Sequence, residues 1–367
     1  MGIRDVAREA GVSVTTVSHV LNDVPSARIS PETREKVRTT AARLGYGPNR
    51  VARALRSRRS GVLGLVVENV ATTPHAGRII LGAEQAARAR GYTLMIVPIP
   101  GPAGAGGGPE TGRARWEIGV ESLQTGVESL LGRQVDGILY SASCQRVVQA
   151  SVNLGRVPAV LVDAVAADGS FPAVVADEYN GAGAAVDALL AAGHTRIGFL
   201  NSADGNPSTH RRFQGFQDAL KRAGVRGASG TVETASPDAS GGYAAARTVL
   251  AARNPPSALL CCNDRMAMGA YRAAAELGLS IPGDLSVVGF GDEELIADNL
   301  HPGLTSVALP EHEMGAWAAN CLINGIESAA AGAGANQLIG VPDPALLACR
   351  LVARGSVGAP GTGMPQR

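Results

Sequence analysis

The stretch DVAREAGVSVTTVSHVLN, residues 5–22, decides the fold of the first part of the chain. Val6, Ala7 and Ala10 fall on one face of a first helix, expected from Ile3 to Ala10. Val14, Val17 and Leu21 do the same for a second helix, Val14 to Leu21. Gly11 between them suits the left-handed position that ends a helix, and Ser13 offers an oxygen to cap the next. Ala7 and the glycine turn let the two helices cross closely. The outer face of the second helix carries Thr15, Thr16, Ser18, His19 and Asn22, short polar groups suited to base edges in a major groove. After a loop with Pro25, Ser30 is an N-cap, Pro31 takes the first helical position and Glu32 faces the positive helix end. A third helix is expected to about Leu44, stopped by Gly45 and Gly47.

Charge separates this part from the rest. Residues 1–60 hold 12 Lys+Arg against 5 Asp+Glu, a net of +7; the remainder holds 21 against 27, a net of −6. A basic module on a mildly acidic body places any polyanion at the N-terminal part. Among 367 residues no apolar run reaches the ~18 that a membrane span needs, and the polar N-terminus MGIRDVAREAGVS predicts neither signal peptide nor membrane. Five cysteines without CxxC spacing predict reduced thiols and a cytoplasmic setting.

From Gly61 onward, short apolar strands alternate with Ala-rich amphipathic helices. Strands are expected at 62–67, 92–97, 135–140, 159–163, 173–177, 195–200, 258–262 and 286–290. Helices are expected near 76–90, 116–132, 181–192, 209–223, 241–253, 265–277 and 311–329. This alternation predicts an α/β fold with parallel sheets covered by helices on both faces. Roughly 300 residues is long for one such sheet, so two similar lobes are expected. PGPAGAGGGPETG (100–112) has the composition of a flexible loop, and 356–367 that of a disordered tail.

The order of motifs resembles the lactose/purine repressor (LacI-type) family of bacterial transcriptional regulators. DVAREAGVS, TVS-x-VLN, SPETREKV, LGY-x-PN and VARALR follow one another within residues 5–56. GRVPAVLVDA (155–164), GHTRIGF (193–199), RRFQGF (211–216), NDRMAMGAYRA (263–273) and IPGDLSVVGFGD (281–292) resemble the family's sensor. The resemblance implies a three-helix helix-turn-helix headpiece over 1–46 and a hinge helix with linker over 47–60. A two-lobed, periplasmic-binding-protein-like domain for effector binding and dimerisation follows over 61–355. The implied function is that of a homodimeric repressor on near-palindromic operator DNA, controlled by a small polar molecule, a sugar or related metabolite, between the lobes. A hinge of about eight residues is too short to be a stable helix alone, which suits a switch that orders on DNA.

By the same resemblance, Val14 and Thr15 match positions that read bases. Thr16 and Ser18 match backbone-contacting or cap-proximal positions. Leu55 matches the leucine that wedges into the minor groove, and Arg50, Arg53 and Arg56 would line phosphates. In the sensor, Asp163 and Asp177 each end an expected apolar strand, where open α/β sheets bind ligands. By the resemblance Arg212 and Asn263 match ligand-contacting positions, Ser208 a polar neighbour and Asp264 the second residue of the family's ND pair. Asp177, Ser208 and Asp264 could equally serve the ligand or the scaffold. The sequence also departs from the family pattern. His19 stands where arginine is usual, and Pro237 where some members carry an aromatic platform. Gly291 takes the place of a ligand-binding aspartate, with Asp292 next door as substitute. ATTPHAG (71–77) alters one wall of the cleft.

Competing functions are weakly supported. A periplasmic solute receptor does not account for the basic headpiece. GAGAAV (181–186) lacks the third glycine of a dinucleotide fingerprint, and no catalytic triad, HExxH or metal cluster stands out. His194 reads as a helix-end cap rather than a base. No enzyme activity, cofactor or metal is therefore expected. Nor does a heptad tail predict a tetramer.

Overall fold

The computed structural model describes residues 2–21, 27–46, 59–71, 74–101, 112–148, 154, 157–225, 231–330 and 343–361. The chain forms two compact units, Met1–Gly61 and Val62–Arg367.

In the first unit, helices α1 (Ile3–Ala10), α2 (Val14–Leu21) and α3 (Pro31–Arg43) enclose Val6, Ala7, Ala10, Val17, Val20, Val37 and Ala41. Gly11 adopts φ 67, the left-handed turn its sequence position called for. The Ser13 hydroxyl accepts the Thr16 amide at 3.0 Å, and Ser30 accepts the Thr33 amide at 3.3 Å. Val20 replaces Val14 in the inward set: Val20 lies one helical turn from Val17 on the buried face, while Val14, the first residue of α2, is 41% exposed. Asn22 and most of the hinge, including Arg50, Arg53, Leu55 and Arg56, lie outside the described residues.

The second unit contains two six-stranded sheets. The first lobe takes β1 (Val62–Glu68), α4 (Pro74–Ala89), β2 (Thr93–Ile99), α5 (Gly112–Leu131), β3 (Gly137–Val148), β4 (Ala159–Ala166) and β5 (Ala173–Asp177). The second takes α6 (Glu178–Ala191), β6 (Ile197–Ser202), α7 (Pro207–Arg222), β7 (Val232–Ala235), α8 (Ala239–Leu250), β8 (Ala258–Cys261), α9 (Asp264–Glu276), β9 (Ser286–Gly291), α10 (Glu294–Ala297) and β10 (Thr305–Ala308). The chain then returns to the first lobe with α11 (Glu311–Ala330) and β11 (Ala345–Ala348), and ends in the second with β12 (Arg350–Val352). Strand orders are β11-β5-β4-β3-β1-β2 and β12-β10-β9-β8-β6-β7, parallel throughout except for β12 against β10. Runs such as VLGLVVE are buried along nearly their whole length, as strands covered on both faces must be.

The chain thus crosses between lobes at Asp177–Glu178, at Leu309–Pro310 and at Cys349. The return helix α11 packs tightly on α4. A Cβ on Gly82 would collide with the His312 carbonyl, and one on Gly315 with the Ile79 carbonyl, so only glycine permits this approach.

Several expectations need revision. β3 and β4 run on past their expected ends at residues 140 and 163, to Val148 and Ala166. Their register shifts between Ser141 and Arg146, and Asp163 sits in mid-strand at φ 51. β7, β10, β11 and β12, of three or four residues each, were not foreseen, being too short to show a period. Residues 356–361, expected in a disordered tail, are anchored on the second lobe. Ser356 is fully buried, donates to the Val287 carbonyl at 2.6 Å and accepts the Thr305 amide at 2.8 Å. His194 contributes to that anchoring rather than capping a helix with its ring. It is buried against the Ser257 and Ser286 hydroxyls and the Gly358 carbonyl, each at 2.9 Å, and burial presses its pKa down.

Candidate functional site

On the headpiece, α2 turns Thr15 and Val14 to solvent, with Thr16, Ser18 and His19 half-buried beside them. The Thr16 hydroxyl lies 2.8 Å from that of Ser13, so this side chain also holds the helix start. These residues share the outer surface of a helix whose other side is the hydrophobic core.

In the second unit a cavity of about 440 Å³ is lined from both lobes. Its chemistry begins where the chain changes lobe. Glu178 is the first residue of α6, directly after the first crossing, and Glu311 is the first of α11, after the second. Both carboxylates are buried, and a helix N-terminus favours negative charge. Each holds one cation of the cavity.

Glu178 pairs with Arg212 Nε. The same guanidinium donates to the Cys262 carbonyl and stacks over the Phe290 ring, 4.0 Å from its centroid. Burial, the largest single influence, works to lower the arginine pKa, but the charge and hydrogen bond of Glu178 together with the neighbouring thiols outweigh it and the net shift is upward. Glu311 Oε1 lies 2.7 Å from His75 Nδ1. His75 Nε2 faces Asp163 Oδ2 at 3.0 Å, an ion-pair contact without the alignment of a hydrogen bond. Desolvation again works against the cation, yet the two carboxylates lift the imidazole from 6.5 to about 10. His75 is therefore an imidazolium at neutral pH.

Arg78, one helical turn after His75, lies 3.8 Å from Glu311 and donates to the Asp292 carbonyl of the second lobe at 3.4 Å. Behind the first-lobe wall, the buried Glu68 accepts from Tyr140 Oη at 2.6 Å and from the Ser143 amide and hydroxyl at 3.0 Å. It also pairs with Arg146 at 2.8 Å. This fixes the Ser143–Gln145 segment against the cavity.

Of the residues singled out in the sequence, the cavity brings together Asp163, Ser208, Arg212, Asn263 and Asp292. Asn263 also caps α9, accepting the Met266 amide at 2.8 Å, and donates to the Pro237 carbonyl at 3.1 Å. Two residues fall elsewhere. Asp177 caps α6 through the Asn180 amide at 3.2 Å. Asp264 is fully buried under the wall, accepting from Ser306 at 2.6 Å and the Glu293 amide at 2.7 Å; burial pushes its pKa up to about 6. Asp292 makes a poor substitute for an aspartate at 291, because its carboxylate is held by Arg354 at 2.7 Å. Gly291 itself adopts φ 123, a conformation L side chains rarely take.

Sequence reasoning missed His75, Arg78, Glu178 and Glu311. The His75–Glu311 contact spans 236 positions, so no local pattern could reveal it. The available signal was an acidic residue opening the helix after each crossing. Among the described residues, no group of three or more His, Cys, Asp and Glu could hold a metal ion, and no helix is long and apolar enough to cross a membrane.

Comparison with known proteins agrees with this architecture. Residues 2–49 match the profile "Bacterial regulatory proteins, lacI family", and residues 186–357 match "Periplasmic binding protein-like domain". The ribose operon repressor of Haemophilus influenzae is 32% identical over 327 residues, covering 89% of this chain and 92% of that protein. The HTH-type transcriptional repressor PurR of Erwinia tasmaniensis is 32% identical over 331 residues, covering 89% and 90%. The structure of the lac repressor dimer bound to operator and the anti-inducer ONPF superposes with a TM-score of 0.73 at 26% identity, over 98% of this chain and 99% of that one. The regulator CelR in complex with cellobiose gives 0.61 at 27% identity, over 97% and 99%. The chain belongs to the LacI family and is a ligand-responsive, DNA-binding transcriptional repressor, not an enzyme.

Proposed function

We propose that the protein acts in the cytoplasm as a homodimer whose two headpieces read the halves of a near-palindromic operator, while a small polar metabolite in the inter-lobe cavity sets operator affinity. The observation that carries this reading is the placement of Glu178 and Glu311. The carboxylates that hold Arg212 and His75 are the first residues after two inter-lobe crossings, so a ligand touching these cations bears on the segments about which the lobes turn. A change in lobe angle is passed to the hinge, residues 47–60, and pairs or separates its two copies. In this scheme Val14, Thr15, His19 and Asn22 face bases, Thr16 and Ser18 the backbone, and Arg50, Arg53, Leu55 and Arg56 the central minor groove and its phosphates. Asp163, Ser208, Arg212 and Asn263 contact the effector. Asp177 and Asp264 hold the scaffold, and Asp292 shapes the rim.

The experiment is operator selection from a random duplex library, followed by affinity measurement at several salt concentrations. With a net charge of +7 over residues 1–60, specific binding should weaken steeply with salt as counterions are released. Binding that stays flat from low to physiological salt, or that survives removal of residues 1–59, would overturn the assignment. D-ribose is the first effector to try, since relatives at 30–32% identity are named ribose operon repressors.

A further inference from the structure

The loop after β9 needs outside support to keep its shape. Gly291 and Asp292 adopt φ 123 and 52 in succession, and the second of these is a conformation that a residue with a Cβ adopts at a cost. The seven residues Asp292–Asp298 also carry four carboxylates, and like charges this close repel. Part of the support comes from below. The Asp292 amide donates to Ser306 Oγ at 3.1 Å, that hydroxyl donates to Asp264 at 2.6 Å, and the Glu293 amide donates to Asp264 at 2.7 Å. These bonds hold the backbone of the loop and leave the charge of Asp292 uncompensated.

The compensating cation comes from the end of the chain. Arg354, two residues after β12, donates through Nη1 to Asp292 Oδ1 at 2.7 Å and to the Leu304 carbonyl at 2.9 Å. Its Nε donates to Asp298 Oδ1 at 2.7 Å. One guanidinium thus ties the two ends of the acidic segment together, using a fork that lysine does not possess. The backbone that presents it is fixed as well. The Arg354 amide donates to Thr305 Oγ1 at 2.9 Å, the Gly355 amide to the Gly303 carbonyl at 3.0 Å, and Ser356 is fully buried. Asp292 is also a point where the lobes touch, because its carbonyl accepts a bond from Arg78 of α4 at 3.4 Å.

We propose that Arg354 is a positioning residue for the contact between the lobes: residues 353–358 form a strap, and its guanidinium keeps the Asp292 carbonyl within reach of Arg78. The inference rests on the reading that lobe angle sets operator affinity. It goes further by placing a control point in the C-terminal segment, on a side chain outside the cavity lining. Arg354 acts through Asp292. Without it the acidic loop relaxes, the carbonyl turns away and Arg78 loses its partner on the second lobe.

The first measurement is hydrogen exchange on the full-length protein without ligand. Arg354→Gln should speed exchange of the Asp292 and Glu293 amides by about tenfold or more, since the loop then opens more readily. Asp292→Asn breaks the same ion pair from the other side, and asparagine tolerates the left-handed backbone as aspartate does. It should speed the same amides, and it carries the test alone if Arg354→Gln does not fold. Asp298→Asn cuts only the other arm of the fork and should leave those amides within about twofold of wild type. Were Arg354 merely an anchor for the chain end, exchange would rise at 353–358 and 303–305 and stay unchanged at 292 and 293. That pattern overturns the proposal. The second measurement is operator affinity of the ligand-free protein in a cycle of Arg354→Gln, Arg78→Gln and the double variant. Asp292 is the partner that the two arginines have in common, so the double variant should match the more affected single one within about twofold. Effects that multiply, or none from Arg354→Gln, also overturn it. A wild-type protein that selects no operator would instead sink the repressor reading, and exchange at Asp292 and Glu293 would still decide whether Arg354 holds the loop.

Discussion

His75 occupies the second position of α4, where a positive charge meets the positive end of a helix and is desolvated as well. Only Asp163 and Glu311 make that placement favourable, with Arg78 the other charged group at the same Glu311 carboxylate. Because the folded pKa, about 10, exceeds the ordinary 6.5, the contribution of this group to stability is fully present below about pH 6.5. It is lost progressively as pH rises toward 10. The side chain is 18% exposed, so the effect amounts to a few kcal/mol, on the order of breaking a buried ion pair. We expect the unfolding temperature of the full-length protein to decline between pH 6.5 and 10, and His75→Gln to lower it at pH 6.5 and flatten the decline. Calorimetry across that range checks it; two parallel profiles would remove the imidazolium from the network. None of this was legible in ATTPHAG, which by itself showed only that the wall differs from its relatives. The partners lie on β4 and α11, far along the chain, and it is their two carboxylates, against the cost of burial, that give the histidine its charge.

The elements themselves were easier to read than their uses. Helices with caps, such as α3 behind Ser30 and Pro31, fell close to their expected ends because local hydrogen bonds set them. Apolar runs such as those of β1 and β8 were found because they are continuous. β10 and β12 were not, since each owes its pairing to a neighbour distant in sequence and is too short to show a period. On the candidate sites, Asp163 and Arg212 both line the cavity, although Asp163 lies within β4 rather than at the strand end the sequence suggested, and Asp177 caps α6. For α2 the decisive residue is His19, half-buried on the helix that carries the exposed Val14 and Thr15. Arginine there could hold O6 and N7 of one guanine with two parallel bonds, worth ~1–3 kcal/mol of discrimination, whereas imidazole offers one bond at a time. His19→Arg should therefore move preference toward guanine at one position of each half-site and leave the others nearly unchanged. Selection from a randomised operator library, with both proteins side by side, reads this directly; identical consensus sites would mean that His19 faces no base.

At the scale of the whole molecule, DNA and effector are assigned to different compact units, so control depends on free energy shared between two sites. Such coupling is reciprocal. If a bound sugar changes operator affinity by some factor, saturating operator must change sugar affinity by the same factor, commonly about 5–150-fold. The direction separates the two modes of control: an inducer binds more weakly to the operator complex, a co-repressor more tightly. The measurement is a pair of calorimetric titrations of whichever sugar the cavity accepts, one into free protein and one into protein saturated with operator duplex. A companion pair of operator titrations, without and with that sugar, supplies the other side of the cycle. The two ratios should agree within error. Arg78 offers a handle on the same quantity, because its bond to the Asp292 carbonyl joins α4 of the first lobe to the loop after β9 of the second. Arg78→Ala removes an inter-lobe contact while leaving Arg212 and Glu178 in place, so it should alter the coupling factor more than it alters sugar affinity for the free protein. If sugar affinity falls and the coupling factor is unchanged, Arg78 serves the ligand alone and the lobes turn on other contacts.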